Sequence, residues 1–176
     1  MVSVGRTSGQ LLLGEWACLG ILYPTPTHGF AIAARLKPQG DVGRVWSLSR
    51  ALTYRSLDQL ALRGYVRPVG EEPGIAGGNR TIIAATRTGR AQLRKWLATP
   101  VLHLRDLRSE LLLKLIIADI CAIDVAPMLD RQHTHIAELA EAITAHLDAE
   151  PRDVVALWRS EASNGALRFL DRLPRG

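Results

Sequence analysis

Cysteine and long apolar runs are both scarce in this chain. Its two cysteines, Cys18 and Cys121, match neither a metal-ligand spacing nor a disulfide framework, which favours small buried side chains in a reducing compartment. The most apolar stretch, residues 111–123, contains Lys114 and Asp119 and is shorter than the roughly 20 residues that cross a bilayer. The amino terminus lacks the continuous apolar segment of an export signal. The sequence therefore predicts a cytoplasmic protein without a membrane span.

The sequence also lacks the motifs of common catalytic sites. It contains no nucleophile elbow, phosphate-binding loop or paired-carboxylate pattern, so we expect no enzymatic activity and no cofactor. Three histidines, His133, His135 and His146, invite a metal hypothesis. The first two project to different sides of a helix, and the last two are about 16 Å apart along its axis. A metal site within one chain is therefore not expected, although one shared between subunits stays open.

Acidic residues are few in the first half of the chain. Residues 1–100 contain thirteen Lys or Arg against five Asp or Glu, a balance of +8, whereas residues 101–176 contain nine against twelve, a balance of −3. A basic segment followed by a mildly acidic one fits contact with a polyanion in the first half and with protein in the second. Ordinary solvation by arginine is the alternative explanation.

The first hundred residues alternate apolar series of helical period with turn signals. Ser8 is predicted to cap a helix over residues 8–23, and proline residues separate it from a second helix beginning at Thr27. A third helix is predicted over residues 48–63, with Ser47 as its cap and Gly64 just beyond its end. Two β-prone segments, 65–69 and 80–85, flank a turn, and Thr86 caps a fourth helix. The third helix buries an apolar series consisting of Leu48, Leu52, Leu57 and Leu60.

The rest of the chain is predicted to be helical, over residues 107–120, 125–149 and 154–173. Two lines of residues spaced by seven run down one face of the second of these helices, and such a face requires a partner. The expected dimerisation residues are Leu129, Ile136, Leu139 and Ile143. Packing of this face within its own chain is the alternative.

Three helices followed by a two-stranded hairpin form a winged helix-turn-helix, in which the third helix enters the major groove of DNA. The predicted fold class is therefore mainly α with a small β-hairpin wing. We expect a DNA-binding domain over residues 1–100 and a helical dimerisation domain over 101–176. The residues predicted to contact double-stranded DNA are Ser49, Arg50, Thr53, Tyr54 and Arg55 in the third helix, and Asn79 and Arg80 in the wing.

Three motifs resemble the PadR family of bacterial transcriptional regulators. They are P-T-P-T-H-G-F over residues 24–30, S-R-A-L-T-Y-R-S-L-D-Q-L-A-L-R-G-Y-V over 49–66, and G-G-N-R-T-I-I-A-A-T-R-T-G-R over 77–90. The second motif departs from the family pattern, because Arg50 replaces a usual proline and Leu52 a usual threonine. The resemblance covers residues 12–97, and the remainder is similar only in helical character, length and one run near Leu111.

The resemblance implies a homodimeric regulator, more often a repressor, that binds a palindromic operator and is released by a small hydrophobic or aromatic effector. Trp96 or Trp158 is a candidate to line such an effector cavity between the two halves of the chain, although core packing is the commoner role of tryptophan. His28, at the start of the second helix, is expected to be structural. The alternative function is a winged helix that binds protein instead of DNA, which the apolar Leu52 on the expected DNA face would favour.

Overall fold

The computed structural model of the protein describes residues 10–74 and 78–174. In chain order, the described elements are α1 (Leu13–Leu22), β1 (Thr27–His28), α2 (Gly29–Arg35), α3 (Arg50–Leu62), β2 (Val66–Pro73), β3 (Asn79–Ala85), α4 (Arg87–Leu97), α5 (Leu112–Cys121), α6 (Ala126–Ala149) and α7 (Val154–Arg172). A 3-10 turn, Leu104–Asp106, and a π-helical turn, Leu107–Leu111, lead into α5. The predicted fold class, mainly helical with a small hairpin, is confirmed.

Helix α1 lies at the centre of the larger hydrophobic core. It begins at Leu13, because the Glu15 carboxylate accepts the backbone N–H of Leu12 at 2.9 Å and closes the first turn. The predicted earlier start is wrong for residues 10–12, and Ser8 lies outside the described residues. The core around α1 draws side chains from α2 to α5, and its fully buried members are Leu19 of α1 itself and, from the other helices, Ile32, Leu60, Leu93 and Ile117.

The wing is a long antiparallel hairpin that is fastened to the turn before α2. Strand β3 lies between β2 and β1, and it pairs with β1 through Thr27 opposite Ile83 and His28 opposite Ile82. The sequence predicted helix from Thr27, so β1 is a correction. Because β1 pairs with β3, backbone hydrogen bonds hold the wing against the start of α2, in addition to its covalent connections to α3 and α4.

Helix α3 begins two residues later than predicted. Ser49, not Ser47, is its cap, since the Ser49 hydroxyl accepts the N–H of Leu52 at 3.2 Å. The buried face consists of Thr53, Leu57 and Leu60, so Leu52 is exposed instead of lying in the predicted apolar series. Gly64 adopts φ +70° immediately after the helix, which confirms the predicted terminator.

The last three helices form a second core with α7 packed along α6. Leu129, Ile136 and Ile143 of α6 are each less than 10% exposed, and Leu139 is partly buried. The face predicted to pair two subunits is therefore covered within its own chain, because α7 returns along it. Helix α5 contributes to both cores, and the division of the chain at residue 100 stays a prediction.

Side chains of α5 and α6 form hydrogen bonds with several backbone carbonyls of the segment that joins α4 to the later helices. Buried Gln132 accepts the N–H of Val101 at 2.6 Å and donates to the Val101 carbonyl at 2.9 Å. Further side chains donate to the carbonyls of Ala98 and Thr99, and the Leu102 carbonyl lies 2.8 Å from His135 Nε2. We call residues 98–102 the connector. None of the described helices is both long and apolar enough to cross a membrane.

Candidate nucleic-acid interface

Helix α3 presents a cationic and aromatic outer face. Its buried residues fix its rotation on the core, and this rotation leaves Arg50, Tyr54 and Arg55 exposed. Tyr54 retains 39% of its accessible surface. Guanidinium and phenol groups are donors that pair with phosphate oxygens and base edges. Three of the predicted contact residues thus share one accessible surface.

Two hydroxyl residues of the same motif, Thr53 and Ser49, form hydrogen bonds within α3. Thr53 is fully buried, and its hydroxyl donates to the Ser49 carbonyl at 3.0 Å. The predicted DNA contact of Thr53 is therefore wrong in this fold, because a side chain inside the core cannot meet a duplex. Ser49 is exposed, but its oxygen is occupied as the cap of α3, which leaves only its hydroxyl proton for a phosphate.

Phe30 joins the recognition helix to the wing. The guanidinium carbon of Arg50 lies 5.7 Å from the centre of the Phe30 ring, and that of Arg80, from β3, also lies 5.7 Å from it. Phe30 itself is 50% exposed. Both distances are within the range of cation–π attraction. One exposed aromatic ring therefore holds a cation from the helix and a cation from the wing at the same surface, a role that the sequence analysis did not assign to it.

The Tyr54 ring packs closely against the start of α2. A Cβ atom added to Gly29 would lie 2.8 Å from the Tyr54 ring, so the glycine is needed for this close approach. Arg50 also lies 5.8 Å from the centre of the Tyr54 ring. The His-Gly-Phe motif and the Tyr-Arg motif therefore meet in space, which explains why both occur in one sequence.

His28 is a structural residue, as predicted. Its Nδ1 accepts the N–H of Ala31 at 3.1 Å and thereby caps α2. This places the proton of the neutral ring on Nε2, which donates to the Glu72 carboxylate at 3.2 Å. Arg80 lies 3.4 Å from the same Nε2, and because both groups are then donors, this contact is not a hydrogen bond. The Arg80 guanidinium therefore contacts the Phe30 ring and is otherwise available at the surface.

The wing mixes charges of both signs. Asn79 donates to Glu71 across the hairpin at 2.8 Å, so its side chain is occupied within the wing. Glu71 and Glu72 lower the positive potential near Arg80, while Arg67 on β2 is exposed. Among these wing residues, Arg80 and Arg67 are therefore the cations that remain for contact with an anion, whereas the Asn79 side chain is hydrogen-bonded to Glu71.

Neither a family model nor a curated protein sequence matches this chain. Among solved structures it is similar to PadR and PadR-like proteins. Bacillus subtilis PadR in complex with operator DNA is 15% identical, with a TM-score of 0.47 over 89% of this chain and 94% of that chain. The same PadR in complex with p-coumaric acid is 15% identical, with a TM-score of 0.43 over 94% and 95%.

The PadR-like transcriptional regulator BC1756 from Bacillus cereus is 18% identical, with a TM-score of 0.43 over 95% of this chain and 97% of that chain. These neighbours carry the name of the family that the sequence motifs resemble. At such identities, the contacts of individual side chains have to be taken from this chain's own geometry.

A cavity of about 510 Å³ opens between α4, α1 and the start of the later helices. Trp96 forms part of its wall and stacks on Trp16, with the ring centres 4.9 Å apart and the planes 7° apart. This volume is within the usual range for small-molecule sites. Trp158, by contrast, is 73% exposed on α7 and does not line this cavity. Of the two tryptophans predicted as candidates for an effector cavity, Trp96 therefore lies at this one and Trp158 does not.

One wall of this cavity carries a buried charge pair. Lys114 is 1% exposed, donates to the Thr99 carbonyl at 2.5 Å and lies 3.0 Å from Glu110. Burial lowers the pKa of the Lys114 ammonium, and the Glu110 carboxylate partly opposes this effect. Glu110 also accepts the indole N–H of Trp96 at 3.2 Å. The cavity thus combines aromatic walls with a fixed carboxylate and a fixed ammonium.

The three histidines of α6 are not grouped. His133 lies 3.1 Å from Asp171, His146 lies 3.0 Å from Asp153, and His135 faces the connector. Across residues 10–74 and 78–174, no three potential metal ligands come together.

Proposed function

We propose that this protein is a sequence-specific DNA-binding transcriptional regulator, with α3 as the recognition helix and the β2–β3 hairpin as the wing. It would act in the cytoplasm as a homodimer on a palindromic operator, most simply as a repressor. The first half of the chain supplies the positive charge that non-specific attraction to phosphate requires.

One observation carries the proposal, namely the shared contact of Arg50 and Arg80 with Phe30. The two arginines come from the two elements that a winged helix places on DNA, and the ring holds them at one accessible surface. Arg55, which is exposed on the outer face of α3, is the residue that we expect to reach a guanine edge.

The test is binding of the full chain to DNA from its own upstream region and to fragments selected from the genome, by fluorescence anisotropy over a salt series. We expect selective binding that weakens steeply with salt. Arg55→Ala should cost about 1–3 kcal/mol, whereas Arg159→Ala, an exposed arginine on α7, should cost nothing. Binding that neither prefers any sequence nor responds to Arg55→Ala contradicts the proposal.

For the homodimer, the surface that supports the proposal is on α7 and not on α6. Val154, Leu157 and Trp158 are 75%, 52% and 73% exposed on the first turns of α7. An exposed apolar cluster of this kind marks an interface with protein more often than a solvent face. Sedimentation should show a dimer that Trp158→Ala weakens and Arg159→Ala does not. A wild-type chain that is monomeric at micromolar concentration would contradict the proposed homodimer.

We further propose that a small aromatic effector binds in the cavity beside Trp96. Its stacked indoles suit an aromatic ring, and the pair of Glu110 and Lys114 suits a polar substituent. Titration of aromatic acids and phenols should quench tryptophan fluorescence and release bound DNA over the same concentrations. Release without quenching would place the effector elsewhere.

A second function, docking of a protein on α3, is favoured by the exposure of Leu52 and Leu62, at 48% and 79%. Co-purification of a stoichiometric partner, combined with no effect of Arg50→Ala on its capture, would favour this function. Salt-sensitive selective DNA binding would favour the first.

A further inference from the structure

The outer face of α3 carries an apolar patch beside its cations. Ala51 and Leu52, on the first turn of the helix, are both exposed, and Leu52 retains 48% of its surface. The first turns of a recognition helix are the part that meets base edges in the major groove. Leu52 is not part of the core face of α3, which is formed by Thr53, Leu57 and Leu60, and about half of its surface is open to a partner.

Leu52 lies on a different side of α3 from Arg50 and Tyr54. Arg50 and Tyr54 are each two residues away, about 200° around the helix, and both lie on the flank that faces Phe30. Arg55 lies three residues after Leu52 and is therefore its neighbour on the outer face. The residues on this face would thus meet one base edge through a guanidinium and the adjacent base through a leucine.

The chemistry of the major groove limits what a leucine can recognise. Most base edges there present acceptors or amino groups, and covering one with an apolar side chain leaves a polar group without a partner. The C5-methyl group of a pyrimidine is the one apolar feature that the groove offers. A leucine that faces the groove is therefore selective for a position that carries this methyl group.

We propose that Leu52, supported by Ala51, reads the C5-methyl group of one pyrimidine in each operator half-site, next to the base that Arg55 contacts. The methyl group can come from thymine or from 5-methylcytosine, which present it at the same place in the groove. The inference rests on the proposed DNA-binding function and specifies what its recognition helix reads.

The test uses the full chain and the fragment preferred in a selection from random DNA. Each thymine is replaced singly by deoxyuridine, which removes the methyl group and nothing else. Burial of one methyl group corresponds to about a fourfold change in affinity, from about 0.8 kcal/mol. We expect one thymine per half-site to show a loss of this size with the wild-type chain, and little loss at that thymine with Leu52→Ala.

Two control variants make the result specific to Leu52. Leu52→Met keeps the apolar bulk and should keep the deoxyuridine effect, whereas Arg55→Ala should weaken binding to every probe and leave the effect in place. A second pair of probes carries cytosine or 5-methylcytosine at the sensitive position. Tighter binding of the methylated probe shows that either source is read, and equal binding assigns the reading to thymine.

Three results would overturn the inference while leaving the proposed function intact. The first is equal affinity of the wild-type chain for every deoxyuridine probe, and the second is a deoxyuridine loss that is the same in Leu52→Ala. The third is equal affinity of wild type and Leu52→Ala for all probes, since this leucine would then contribute nothing to DNA binding. Failure to select any DNA sequence would instead contradict the proposed function itself.

Discussion

Replacing Phe30 by alanine should weaken DNA binding without removing a charge. Two cation–π contacts of about 0.5–1 kcal/mol each hold Arg50 and Arg80 on the Phe30 ring. Without the ring, both side chains have to be ordered when DNA binds, which costs a similar amount. We therefore expect a loss of about 1–2 kcal/mol, or roughly 5- to 30-fold in Kd. Since the ring is half exposed, folding should be affected little.

The salt dependence of binding separates this role from direct phosphate contact. In Phe30→Ala both arginines remain, so a plot of log K against log salt should keep the wild-type slope at a lower affinity. Arg50→Ala should instead reduce the slope by about one if Arg50 contacts a phosphate. Phe30→Tyr, which keeps the ring, is the matched control and should bind like wild type. Wild-type affinity of Phe30→Ala at every salt concentration would refute the reasoning, as would a slope changed to that of Arg50→Ala.

Two further predictions concern the core. Gly20→Ala should destabilise the fold by about 1–3 kcal/mol in urea unfolding, because its Cβ would lie 2.4 Å from a methyl group of Ile117. Gly165→Ala, whose Cβ would meet only the Arg168 guanidinium at an ordinary contact distance of 3.8 Å, should be neutral or stabilising, and equal effects of the two substitutions would contradict the packing argument. Burial raises the pKa of Cys18 to about 12 and that of Cys121 to about 11, so at pH 8 both thiols stay protonated. A chromogenic disulfide reagent should therefore label them only after denaturation, and rapid labelling of the native chain would show that the thiols are accessible.

Local signals were sufficient wherever a cap or a terminator decides the structure. Thr86 caps α4 by accepting the N–H of Gly89 at 3.0 Å, and the left-handed Gly64 ends the turn after α3. The start of α3 was harder, because Ser47 and Ser49 offer the same capping chemistry. The backbone of Ser49 is extended, with ψ 159°, so the helix cannot begin before this residue, while the N–H of Leu48 donates to the Leu36 carbonyl of a segment distant in sequence.

Pairing between distant segments was beyond the sequence pattern. Strand β1 is two residues long, and its partners on β3 are far away along the chain, so the local sequence has no alternating pattern that would predict this strand. On α6, the spacing by seven correctly indicated a face that needs a partner. Periodicity does not say whether the partner is another subunit or α7 of the same chain, and α7 covers it.

The candidate interface was predictable in part for the same reason. Arg50, Tyr54 and Arg55 were assigned to the outer face of α3, and the structure exposes them. Thr53 was assigned with them because its hydroxyl is polar, but the rotation of the helix buries it and its backbone partner satisfies it. The place of Phe30 depends on the wing lying beside α2, which β1 determines and the sequence did not show.

The connector of residues 98–102 is a rigid linker and not a flexible one. Each of its fastened carbonyls is bound to α5 or α6, so α4 and the elements before it have little freedom to swivel against the later helices. If two copies engage one duplex, one extra base pair between the half-sites turns one of them by about 35°. Such a mismatch has to be taken up by bending or twisting the DNA, so that spacing as well as sequence would decide where this protein binds.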